Sequence, residues 1–273
     1  MMISAQRFGS TVTLALALAM GAIAPAAGAA TLYDDFSATI LNPAKWAGEE
    51  VSLYGATLVE ARRAILSGVV RIEAKGYSDK FSNTGTGRVS NRLLLGTSET
   101  VTDLKATVTP RTALFTTCAG NTSAGEVQMG LRGGFFNAGQ APSAGRYNDV
   151  WAAIEIYRQS NSSDASGVFR VSGNVFQCTD SECFSSRSLG SVDLGTTTLN
   201  TATDLHVTWN QSGHNFAFQK DAEGVQSVVY TVSDTNPARD GEKRLDVTDD
   251  IANCTATRVY SYGGADFDNV YTN

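Results

Sequence analysis

Apolar and polar residues alternate one for one along most of this chain, and that period of two restricts it to strands. The pattern is clearest over Val101 to Thr109, Glu126 to Phe136, Val150 to Arg158 and Val168 to Gln177. It recurs in Val69 to Ala74 after a Ser67-Gly68 turn, and in Leu205 to Trp209, Asn215 to Gln219, Val225 to Val232 and Thr257 to Tyr262. No stretch of ten residues carries a 3.6-residue apolar stripe, and no heptad, repeat or low-complexity linker interrupts the chain. Asp221-Ala-Glu-Gly224 reads as a tight reversal, with Gly224 expected to supply a positive φ. Ten or more strands in a few hundred residues give an all-β, two-sheet antiparallel β-sandwich. Frequent Gly and only 5 Pro residues in 273 suit such a fold.

The first thirty residues stand apart. Arg7 is their only charge, an apolar run follows from Val12 to Ile23, and Ala26-Ala-Gly-Ala-Ala30 supplies a small-x-small cleavage site. About a dozen apolar residues are too few to span a bilayer, which needs about twenty. The expected organisation is a signal peptide over 1–30 and a single domain over 31–273, secreted or periplasmic, with no membrane span. The formal charge is −6, and Arg7 belongs to the leader, so the exported domain is more acidic still. An acidic surface repels phosphate backbones, which argues against a nucleic-acid partner.

Export also frames the cysteines. Cys118, Cys178, Cys183 and Cys254 allow three pairings, and the five-residue spacing of Cys178 and Cys183 suits a small loop closure. That leaves Cys118 for Cys254, a long-range bridge contributing about 4 kcal/mol. A metal site would need a tighter cluster with histidines nearby, and His206 and His214 lie far off.

Tyr33-Asp-Asp-Phe-Ser37 and Leu41-Asn-Pro-Ala-Lys-Trp46 near the start, with Phe267-Asp-Asn-Val-Tyr271 at the end, resemble the opening and closing strands of the concanavalin A-like lectin and glucanase superfamily. This superfamily includes laminarinase-type hydrolases and laminin-G-like modules. The resemblance implies a jelly roll in which the first and last strands pair, and an outer sheet face that binds glycans. It also implies a structural calcium ion held by Asp268 and by the carbonyl of Gly68, with a third ligand near Tyr33-Asp34-Asp35.

Alternation selects the side chains on that outer face. Val127, Met129 and Leu131 point inward, and so do Val150, Ala152, Ile154 and Ile156 and, on the next strand, Phe169, Val171 and Val175. Gln128 and Arg132 then share the opposite face with Trp151, Glu155 and Tyr157, and these five form the candidate ligand site. Arg88 and Arg92 share a face on an earlier segment. An aromatic ring beside amide and guanidinium groups suits a pyranose, whose apolar face stacks while its hydroxyls are bonded.

Hydrolysis is expected to be absent. Retaining glycosidases of the superfamily carry paired carboxyls on one strand face, whereas Glu155 is flanked on its face by Ala153 and Tyr157. Gly130-Leu-Arg-Gly-Gly134 lacks the Lys-Ser/Thr of a phosphate loop. The favoured function is a secreted, non-catalytic carbohydrate-binding or surface-interaction module. The alternatives are a polysaccharide lyase acting on an acidic glycan, with Tyr157 as base beside Arg132, Gln128 and Arg92, and a structural envelope protein without a small ligand. Jelly-roll alginate lyases have a Gln-x-His strand; here Gln128-Met-Gly130 lacks the histidine.

Overall fold

The computed structural model describes residues 30–79, 81–139 and 145–273, excluding the side chains of 48–54 and 57–59. The expected leader, apart from Ala30, lies outside the described residues.

The strands are β1 (Thr31–Asp34), β2 (Trp46–Tyr54), β3 (Ala56–Leu66), β4 (Val69–Ser78), β5 (Thr86–Leu95), β6 (Asp103–Phe115), β7 (Glu126–Asn137) and β8 (Asp149–Gln159). They continue as β9 (Val168–Cys178), β10 (Ser186–Thr198), β11 (Thr203–Asn210), β12 (Asn215–Lys220), β13 (Gln226–Val229), β14 (Asn236–Pro237), β15 (Lys243–Ala252) and β16 (Tyr260–Thr272). No helix occurs among the described residues, so the all-β expectation holds. Every ladder is antiparallel, in two sheets ordered β13-β12-β11-β6-β16-β4-β3 and β10-β9-β8-β7-β15-β5-β2. Short β1 and β14 attach to β16 and β7.

The first and last strands pair as expected, with Leu32 opposite Tyr271. Each strand expected from alternation overlaps an observed one, although Thr257 to Tyr262 meets only the start of β16, whereas β2, β3, β5, β10, β14 and β15 are strands that alternation does not announce. The inward residues expected on β7, β8 and β9 are all buried in one core between the sheets. From the other sheet Ile72, Leu104, Val207, Phe218 and Phe267 meet them. Ser67 and Gly68 close the β3–β4 hairpin with both φ angles positive, as a two-residue turn between twisted strands requires. The β12–β13 reversal differs from expectation: Asp221, with φ 51°, takes the left-handed conformation, and Gly224 does not. An aspartate tolerates that region, and here its carboxylate accepts the amide of Asp204.

Both disulfides have the expected pairing, Cys118–Cys254 and Cys178–Cys183. Such bridges persist in oxidising compartments. No helix among the described residues is long and apolar enough to cross a membrane.

Candidate functional site

The site is built by register on the outer face of the β10-to-β2 sheet. Antiparallel pairing sets outward residues in rows across the strands. One row runs Arg92, Asp246, Gly130, Glu155, Ser172, Asp193 from β5 to β10. Beside it lie Ser90, Thr248, Gln128, Tyr157 and Arg170, then Arg88, Asp250, Glu126 and Gln159. On the other flank come Arg244, Arg132, Ala153 and Asn174, and beyond them Gly134, Trp151 and Phe176.

Among the described residues two sizeable hollows lie on this face. The larger, a cleft of about 910 Å³, is lined by Arg88, Arg92, Arg132, Arg146, Arg239 and Arg244, with Asp240, Asp250 and Glu182 as its acids. Trp151 and Phe176 add aromatic surface, and Gly145, Ser181, Cys183 and Phe184 form part of the lining. The smaller, about 320 Å³, is lined by Glu126, Glu155, Tyr157, Ser172, Asn174, Ser191, Val192 and Asp193, and contains no cation. The two share no residue. Arg132 of the cleft and Glu155 of the hollow are joined at 3.0 Å and form the partition between them.

Carboxylates on the same sheet hold the arginines in place. Arg88, whose side chain is half-exposed, grips Asp250 through two bonds of 2.7 and 2.9 Å, which raise its pKa further. Arg244 is buried between Glu242 and Asp246, and Arg146 pairs with Asp240. Burial opposes charge on Asp246, but Arg244, Arg132 and Arg92 overcome it and hold the carboxyl well below its ordinary range. The same burial pulls Arg244 down to about 9. A carboxylate engages only part of a guanidinium's five-donor fork, so a second anion can be bonded by the remainder. Asp149 fixes the loop wall by accepting the backbone amides of Arg239 and Asp240, both at 2.9 Å.

The five residues expected at the site are divided by this geometry. Gln128, Arg132 and Glu155 do meet: Arg132 donates to Gln128 at 3.2 Å and to Glu155 at 3.0 Å, and Asn174 completes Glu155 at 3.0 Å. Tyr157 faces the small acidic hollow. Trp151 lines the cleft but is only 2% exposed, because the guanidiniums of Arg146 and Arg244 lie over its ring at 5.6 and 5.1 Å. It is therefore a buried support for two arginines and not the open sugar platform its outward position suggests.

Sequence reasoning misses β15 altogether, and with it Arg244, Asp246 and Asp250. The signal is present in Leu245, Val247 and Ile251 alternating with Arg244, Asp246, Thr248 and Asp250. Lys243 and Asp249, polar residues at inward positions, obscure it. Glu155 has no acidic neighbour two residues away on its own strand face, where the other carboxylate, Asp149, stands at the start of β8 and is taken up by the loop wall. Asp246 shares the row of Glu155 across Gly130, about 10 Å away at two strand spacings. Gly130 is obligatory there: a Cβ would stand 2.2 Å from the carbonyl oxygen of Ile154. Glu126, next to Asp250, has its carboxyl raised by burial, with Gln159 and Gln128 bonding against that shift.

On the opposite sheet, Asp268 lies on β16 just past the residue that pairs with β4, and Gly68 in the β3–β4 turn beside it. No cluster of three or more His, Cys, Asp or Glu side chains suited to a metal occurs among the described residues.

No family model matches the chain, and no curated protein is similar to it. Solved structures similar to it include the β-glucanase of Bacillus licheniformis, with 12% identity, 88% of this chain and 98% of that one covered, and a TM-score of 0.43. LamAcat from Zobellia galactanivorans is 13% identical over 86% and 95% of the two chains, with a TM-score of 0.43. The Emp46p carbohydrate recognition domain is 13% identical over 78% and 88%, with a TM-score of 0.35. At such overlap, the site's chemistry has to be read from this chain's own residues.

Proposed function

We propose that this protein is an exported glycan-binding module whose ligand is acidic and lies in the arginine-lined cleft. The observation that carries this reading is six arginines lining one hollow of an otherwise acidic chain, against three acids in the same lining. Planar forks are the groups best suited to carboxylate or sulfate, and buried acids fix their positions before a ligand arrives. The neighbouring hollow, with Glu126, Glu155 and Asp193 in its lining and no arginine or lysine there, suits a polyanion less well. Binding is better supported than lyase chemistry. Tyr157 sits in the acidic hollow, and burial pushes its phenol up, away from the value a base needs, although Arg170 opposes the shift.

The test is calorimetric titration of a galacturonate hexasaccharide, and separately of a sulfated one, into wild type and Arg239→Ala. Arg239 is exposed at the cleft wall, so its truncation leaves no buried acid unpaired. A loss of about 1–2 kcal/mol is expected, with affinity falling as salt rises. Unchanged binding of both ligands in Arg239→Ala and in Arg92→Ala would place the site elsewhere.

We also propose that a structural calcium ion is held near the paired termini. Burial raises the Asp268 carboxyl, the charge of Asp35 adds to this, and no cation pairs with Asp268 among the described residues. Asp268 beside the Gly68 turn, within the field of Asp35, suits a hard cation completed by carbonyls and water.

A further inference from the structure

The loop between β9 and β10 places an aromatic ring where the arginines alone would read only charge. Phe184 is 60% exposed and lines the cleft. Phe81, Ile40 and Val229 are more exposed, but among the exposed large hydrophobic side chains of the described residues Phe184 is the one that lines the cleft. Its position is set by four constraints within the eight residues from Cys178 to Ser185. Cys178 and Cys183 are bridged, and Cys183 takes a positive φ of 59°. The Asp180 carboxylate accepts the amides of Glu182, Phe184 and Ser185 at 3.0, 3.0 and 2.6 Å, and Thr179 bonds Ser185 across the loop at 2.9 Å. The loop is also keyed to the opposite rim: Arg146 donates its amide to the Ser181 carbonyl at 2.7 Å, where a Cβ on Gly145 would come within 2.3 Å. Of the other two rings of the cleft, Trp151 is covered by guanidiniums and cannot stack on a sugar, and Phe176 is only partly exposed.

We infer that Phe184 is the stacking platform of the cleft, and that the Cys178–Cys183 bridge fixes its position so that a pyranose ring of the acidic glycan lies against it while the sugar's anionic group meets the arginines. This inference rests on the proposed reading of the cleft and adds to it a requirement for sugar rings. Charge contacts recognise any polyanion, whereas a pre-placed aromatic face selects one with apolar ring surfaces. Opening the bridge removes the chemical constraint on the loop and leaves Cys118–Cys254 to hold the far end of the sandwich.

Two probes separate the contributions: the galacturonate hexasaccharide, and a short poly(acrylate) of matched charge that has no rings. They are titrated into wild type, Phe184→Ala, Phe184→Trp and the Cys178→Ser/Cys183→Ser pair, with melting curves checking the fold. Phe184→Ala should weaken the hexasaccharide roughly tenfold and leave poly(acrylate) unchanged, while Phe184→Trp retains both. The double cysteine variant should match Phe184→Ala. Undiminished hexasaccharide binding in Phe184→Ala, with Arg239→Ala weakened, overturns the platform and leaves the anion cleft standing. Equal losses for both probes in Phe184→Ala overturn it too, since no ring would then be read. If the wild type binds neither probe, the cleft reading itself falls, and the platform with it.

Discussion

Asp249 shows what one residue does to this fold. It points inward from β15, is fully buried, and reaches across the sandwich to accept the Gly263 amide of β16 at 3.2 Å. Gly263 is needed at that point, since a Cβ there would stand 2.5 Å from Asp249 Oδ1. Burial raises the carboxyl well above its ordinary value, against the Gly263 bond that lowers it, with Asp250 adding to the rise. A raised acid favours the protonated fold. Its contribution is intact below the unfolded value of about 4 and is lost as pH climbs from there through the raised folded value. Asp249→Asn keeps an acceptor for Gly263 and removes the titration. The melting temperature of the variant relative to wild type should therefore increase from pH 4 to pH 8. A flat difference across that range would show that Asp249 is ionised in the fold. Trp151 has the opposite character: an outward residue that is buried, because two arginines use it as a surface.

At the scale of the strand, legibility follows how strictly the inward positions stay apolar. In β7, β8 and β9 they do, so alternation alone places Gln128, Arg132 and Glu155 on one face. In β15, Lys243 and Asp249 take inward positions, and the strand that supplies Arg244, Asp246 and Asp250 is hidden in the sequence. Alternation also reports only which side of a sheet a residue faces. That Trp151 is covered, or that Phe184 overhangs the cleft, depends on long side chains and loops for which a period of two has no information. At the termini the pairing of β1 with β16 is legible, and the calcium proposal belongs to that element. Millimolar calcium should raise the melting temperature relative to chelator, with about 2.7 kcal/mol gained at a hundredfold excess over Kd, and Asp268→Ala should abolish the shift. No shift in wild type removes the ion as a stabilising part; a full shift in Asp268→Ala moves it to other ligands.

Across the whole molecule, charge is sorted instead of being spread. The chain carries a formal −6, yet six of its fifteen arginines line one cleft of one sheet, and an acidic hollow adjoins it behind the Arg132–Glu155 pair. Such sorting costs desolvation of ions that need not have been buried, and it fixes donors in position for a ligand that brings its own negative charge. The most direct test is titration of the galacturonate hexasaccharide against the same oligosaccharide with its carboxyl groups reduced to alcohols, which keeps rings, length and hydroxyls and deletes only the charge. Binding of the acidic form at least tenfold tighter than the reduced form, with the difference shrinking as salt is added, is the expected result. Equal affinity for the two, or preference for the reduced sugar, would contradict an arginine cleft built for acidic glycans.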